Sequence, residues 1–171
     1  MWASRSRESV SNAQTLGIRL KLAYLETDAS VDTRRSMVGL DGRLHPAGAG
    51  IILRDLRLRP LIHESIALGE VPGPLHAEYL ALAFGLERAA ERGFGGVWAT
   101  TDNLPLVQAF NGLSEIRGEG LRVIKDRLDG IRARFGFVTL RWSRGSHRKR
   151  KFDGPSADAL ARAAIGLGGR K

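Results

Sequence analysis

The chain has 171 residues, 43% hydrophobic and 26% charged, a balance that suits a compact domain with a full core rather than a disordered or fibrous chain. Its 27 Lys and Arg against 18 Asp and Glu give a formal net charge of +9, which favours polyanionic partners, and the absence of cysteine excludes disulfides and thiolate metal sites. No apolar stretch approaches the roughly 20 residues a membrane-crossing helix needs, and residues 1–17 lack the apolar block of a secretory signal. A cytoplasmic protein with no membrane partner is expected, with residues 1–18 a flexible extension and 19–168 the folded domain.

Residues 20–27, rich in apolar and aromatic side chains, read as a first strand that runs into Asp28-Ala29-Ser30. Residues 31–46 are polar, with Gly39, Asp41-Gly42 and Pro46 as turn signals. Residues 48–53 and 61–68 read as two further strands joined through the basic turn around Arg57, Arg59 and Pro60, an antiparallel meander. Pro72-Gly73-Pro74 then ends the sheet and starts a helix, on which Leu75, Tyr79, Leu82 and Leu86 recur at helical spacing until Gly93 stops it. Residues 96–101 form a fourth strand that runs into Asp102. A short helix over 104–110 accommodates Pro105 in its first turn, and Asn111-Gly112 closes it. Leu121, Ile124, Leu128, Ile131 and Phe135 mark another amphipathic helix, 137–142 a fifth strand and 157–167 a last helix. The order βββαβααβα describes a mixed α/β domain without internal repeat.

Four acidic residues invite explanation. Asp28 and Asp102 each stand just past a predicted strand, where α/β proteins place ligands if the strands are parallel neighbours. For either residue alone, a turn or a helix cap is the plainer reading. Glu78 shares a helix face with Leu75, Leu82 and Leu86, so it points along the core side. Burying an unpaired carboxylate costs several kcal/mol. Glu78 therefore needs a metal, a cation or a hydrogen-bond cluster, unless its head reaches solvent at an edge. Asp158 lies in the first turn of the last helix, where favourable interaction with the helix dipole accounts for it without any function.

Together these segments resemble the type 1 ribonuclease H family, especially its minimal reverse-transcriptase-like branch. The resemblance rests on Thr27-Asp28-Ala29-Ser30 followed by the strand Ala47-Gly48-Ala49-Gly50-Ile51-Ile52-Leu53, on His76-Ala77-Glu78-Tyr79-Leu80-Ala81-Leu82, on Thr101-Asp102-Asn103 followed by Leu106-Val107, and on Ala157-Asp158-Ala159-Leu160-Ala161. Each motif alone is weak; four in register on the expected frame are strong. The resemblance implies a ribonuclease H-like fold, a five-stranded mixed sheet with helices on both faces. It also implies an endonuclease that cuts the RNA strand of RNA–DNA hybrids with two Mg²⁺ or Mn²⁺ ions, leaving 5′-phosphate products. In that scheme Asp28 bridges the ions, Glu78 and Asp102 complete one shell and Asp158 the other. His147 lies in the loop where many family members carry a histidine that helps product departure or proton transfer, although the usual Gly-His-x-Gly pattern is missing. Arg144, Arg148, Lys149, Arg150 and Lys151 in the same loop read either as a solvated face or as a clamp on the phosphate backbone, and Asn103 as a further nucleic-acid contact.

The chain also departs from the family pattern. Gly73-Pro74-Leu75 stands where polar residues often contact the minor groove, Gly154 where an asparagine is common, and the basic protrusion of some members is not evident. A rival reading is a non-catalytic ribonuclease H-like module that binds nucleic acid or protein. A proofreading exonuclease fits less well, since that group opens with Asp-x-Glu and this chain reads Glu26-Thr27-Asp28.

Overall fold

A computed structural model describes residues 20–39, 42–143 and 154–167. The expected extension over 1–18, together with Arg144, His147, Arg148, Lys149, Arg150 and Lys151, lies outside the described residues. The strands are β1 (Leu22–Val31), β2 (Met37–Gly39), β3 (Gly42–Arg54), β4 (Pro60–Val71), β5 (Gly96–Thr101) and β6 (Phe137–Trp142). The described helices are α1 (Pro74–Glu91), α2 (Leu104–Phe110), α3 (Glu119–Arg132) and α4 (Ala157–Ala164). The five long strands lie in the order β4-β3-β1-β5-β6, with the short β2 on the first part of β3. β4, β3 and β1 are antiparallel, because tight connections join successive strands of the meander. β1, β5 and β6 are parallel, because α1 separates β4 from β5 while α2 and α3 separate β5 from β6. This is the ribonuclease H-like mixed sheet that the sequence resemblance implies. No described helix is long and apolar enough to cross a membrane.

Alternation along the strands divides the two faces. Leu25, Ile51 and Leu53 join the main core with Leu82, Leu86, Leu128 and Leu140. α1 meets this face through a strip of small buried residues, Ala77, Ala81, Gly85 and Ala89, spaced by four. A methyl group on Gly85 would come within 2.9 Å of Thr27 Cγ2 and 3.0 Å of Leu25 Cδ1, so helix and strand lie in direct contact there. The opposite face carries α4, seated on the main chain of β3. A Cβ on Gly50 would stand 1.9 Å from the Ala157 carbonyl oxygen, and one on Gly48 would stand 2.5 Å from that of Ala161. Ser65 Oγ donates to the Leu160 carbonyl at 2.7 Å, and Arg35 reaches the Ile165 carbonyl at 2.8 Å while its Nε is bonded to buried Asp32. Helices thus cover both faces.

The element boundaries differ from expectation in the first third of the chain. β1 continues to Val31 instead of ending at residue 27, and β3 starts at Gly42 instead of 48, while β2 occupies part of the segment read as turns. Polar residues are carried into the sheet there because Ala29 and Val31 alternate inward onto Ala47, Val71 and Ala77 and hold the register. The last helix ends at Ala164 rather than 167, since Gly166 adopts φ 72 just beyond it and closes it in a left-handed turn.

Gly50→Ala should lower stability by about 1–3 kcal/mol, because the added methyl must displace α4. Gly130→Ala, on an exposed position of α3 with nothing near its added methyl, should raise stability by about 0.5–1 kcal/mol. Urea unfolding measures both, and equal midpoints for the two variants would mean that α4 does not rest on the β3 backbone.

Candidate metal centre

The site is built where β1 and β5 part. Their parallel register ends at Glu26 opposite Thr100, whereas β1 stays paired with β3 through Asp28 opposite Gly50 and on to Val31. Asp28 therefore lies inside β1, not past its end as the sequence suggested; it is β5 that stops, and Asp102 is the next residue after it. Asp28 is half-buried and Asp102 exposed. Trp142 Nε1 donates to the Asp102 carbonyl at 3.0 Å, and the Asn103 N–H is bonded to Thr101 Oγ1 at 3.2 Å, so the turn carrying Asp102 is held from both sides.

Glu78 enters from α1, next to the strip of small residues that fixes the helix on β1. It is only 6% exposed, and its Oε2 has no hydrogen-bond partner among the described residues. One carboxylate oxygen from each of Asp28, Glu78 and Asp102 lies within 4.8 Å of the others. Burial foremost, then the negative charges of Asp28 and Asp102, push the Glu78 carboxyl up to about 9, and the Ala29 N–H offsets part of that rise. A buried oxygen without a donor needs a proton or a cation. Three carboxylates with no sulfur or imidazole suit a hard divalent ion such as Mg²⁺ or Mn²⁺, whose charge would relieve their mutual repulsion.

Asp158 stands apart from this group of three. It lies in the first turn of α4, whose N-cap Ser156 accepts from the Ala159 N–H at 3.1 Å, and its Oδ1 accepts from Arg162 Nε at 3.0 Å. Its backbone is close to the group all the same, because Ala157 touches Gly50, the partner of Asp28 across the sheet. The structure thus brings three of the four acidic residues together, with the fourth beside them and paired on its own helix. Asn103 Oδ1 caps α2 by accepting from the Leu106 N–H at 2.9 Å, so its oxygen is committed locally. Two residues bonded to the acidic positions escaped the sequence reading. Trp142 gave no signal as a strand-terminal aromatic, while Arg162 was signalled by its four-residue spacing from Asp158.

The sequence profile of the reverse transcriptase-like family matches residues 38–164, a span that includes Glu78, Asp102 and Asp158 but begins after Asp28. A sequence search of curated proteins gives no match. Among solved structures, ribonuclease H1 from Halobacterium salinarum NRC-1 superposes with a TM-score of 0.71 at 21% identity, over 84% of this chain and 97% of that one. The N-terminal ribonuclease H domain of a Mycobacterium tuberculosis protein, solved as a fusion with maltose-binding protein, gives 0.70 at 19% identity, over 84% and 98%. LC11 ribonuclease H1, in complex with RNA/DNA hybrid, gives 0.68 at 21% identity, over 84% and 96%. At these identities the likeness speaks to the fold, and the family rests on the profile match. On these grounds the chain belongs to the reverse transcriptase-like family and carries its ribonuclease H-like fold.

Proposed function

We propose that this protein is a metal-dependent endonuclease that hydrolyses the RNA strand of RNA–DNA hybrids. The observation that carries the reading is the buried Glu78 carboxylate, which lies beside Asp28 and Asp102 and whose Oε2 has no donor among the described residues. An ionised carboxylate placed there harms the fold unless a cation offsets its charge. The net charge of +9 suits a polyanionic substrate, and LC11 ribonuclease H1, which shares the fold, was crystallised with such a hybrid.

Asp28, Glu78 and Asp102 would hold one Mg²⁺ or Mn²⁺, and Asp28 with Asp158 a second. Bound ions of this kind supply a water of lowered pKa and charge neutralisation at the departing oxygen of an in-line phosphoryl displacement. The chain's own part is to keep these ligands aligned before substrate arrives. The β3 pairing fixes Asp28, the α1 packing fixes Glu78 and the Trp142 bond fixes the Asp102 turn, so little reorganisation is required during reaction. Hydrolysis breaks the bond between phosphorus and O3′ and leaves a 5′-phosphate and a 3′-hydroxyl. His147 assists proton transfer or product departure. Arg144, Arg148, Lys149, Arg150 and Lys151 hold the phosphate backbone. Asn103 offers its amide NH₂, its oxygen being engaged in the α2 cap. Pro74 and Leu75 cannot donate side-chain hydrogen bonds, so recognition of the RNA 2′-hydroxyl falls to backbone groups.

With Mg²⁺ or Mn²⁺, the purified protein should cut labelled RNA annealed to DNA and spare the DNA strand. Asp102→Asn should lower the rate by at least about a hundredfold, as expected for loss of a charged ligand, with an unchanged circular dichroism spectrum. Equal cutting by both proteins would reject this site. Hybrid binding without cleavage in either metal would favour the non-catalytic module.

Stability offers a separate check. The folded Glu78 carboxyl, near 9, keeps a proton that the unfolded chain gives up near 4.5. Its contribution to stability is therefore complete below pH 4.5 and is lost as pH rises toward 9. In metal-free buffer, wild type should lose up to about 4 kcal/mol relative to Glu78→Gln between about pH 5 and 8. Millimolar Mg²⁺ should restore wild type but not the variant. Parallel pH–stability curves for the two metal-free proteins would show that Glu78 does not occupy a dry acidic site.

A further inference from the structure

We infer that Arg162 competes with a cation for Asp158 and thereby sets the affinity of the second ion. The inference rests on the metal-dependent reading above and deepens it.

α4 has almost no freedom to adjust. Gly48 and Gly50 bring its carbonyls onto the β3 backbone, Ser65 Oγ donates to Leu160, and Arg35 ties Ile165 to buried Asp32. Asp158 can therefore reach or leave the cluster only by changing its side-chain conformation. In the described conformation it stands outside that cluster. Its Oδ1 accepts from Arg162 Nε at 3.0 Å, and no oxygen of Asp158 belongs to the group formed by Asp28, Glu78 and Asp102. The two residues sit four apart on one helix face, so the pair forms without any tertiary partner.

The pair is also easily opened. Asp158 and Arg162 side chains are 45% and 55% exposed, and exposed pairs of this spacing contribute little to stability. A cation that engages Asp158 must displace one guanidinium bond, and it must bind with a positive charge one helical turn away. Both effects fall chiefly on the second ion, which needs Asp158, rather than on the first, which Asp28, Glu78 and Asp102 would hold. Arg162 is thus a positioning residue: it holds back the fourth carboxylate until the cation concentration is high enough to claim it.

The test is Mn²⁺ titration of the full chain without nucleic acid, followed by calorimetry and by the electron paramagnetic resonance signal of free Mn²⁺. Arg162→Gln should tighten the weaker binding event by about three- to tenfold, the size expected for removing a solvent-screened charge and its pair. The tighter event should move much less. Arg162→Lys keeps the charge without the planar fork and should fall between wild type and Arg162→Gln. If wild type shows a single event, the appearance of a second one in Arg162→Gln supports the inference. An unchanged titration in Arg162→Gln overturns it. The underlying metal reading fails separately, and this inference with it, if wild type binds no Mn²⁺ or if Asp102→Asn leaves the tighter event as it was.

Discussion

A carboxylate that is almost wholly buried and faces two others must be held in place by forces stronger than its own repulsion. For Glu78 these come from α1. Its N-terminus is set by Pro74, whose missing N–H costs nothing in the first turn, and its strip of Ala77, Ala81, Gly85 and Ala89 lets the helix lie directly on β1 and β3. Large apolar residues beside that strip, Tyr79, Leu82 and Leu86, pack into the main core. Glu78 cannot retreat to solvent without lifting this helix from the sheet. The fold therefore keeps an electrostatic conflict at one rim and offsets it with close packing elsewhere.

The sheet contributes a second constraint. Because β1 is paired on both sides up to Glu26 and only with β3 afterwards, Asp28 occupies the one stretch of the central strand that opens toward a neighbouring turn. Parallel strands whose ends diverge in this way make the customary ligand crevice of α/β proteins. Here the turn that faces the opening carries Asp102, and Trp142 from the adjacent strand pins it.

Much of this was legible in the residues. β5, α2 and β6 were readable to the residue, because each is a short apolar run bounded by glycine, proline or asparagine signals. The inward aim of Glu78 followed from its spacing to Leu75, Leu82 and Leu86. The extension of β1 and β3 was not legible, since pairing between strands rescues polar residues that look like loop when read alone. Nor could the sequence show which face of α1 meets the sheet: the leucines drew attention, while the alanines and Gly85 make the closest approach. Proximity of Asp28, Glu78 and Asp102 was inferred from motif order, and the coordinates place their oxygens together. The pairing of Asp158 with Arg162 was available as a spacing but not as a choice between partners.

The seating of α4 has a bearing on how the chain matures. Its contacts join Ala157 and Ala161 to Gly50 and Gly48, about 110 residues earlier in the chain. Associations that span so much sequence carry the largest loop-closure entropy and form late in folding. The Glu78 side of the sheet can assemble while the groove over Gly48 and Gly50 still lies bare, and Asp158 arrives when α4 docks there. The approach of Asp158 to Asp28 in this way depends on the docking of α4 onto β3.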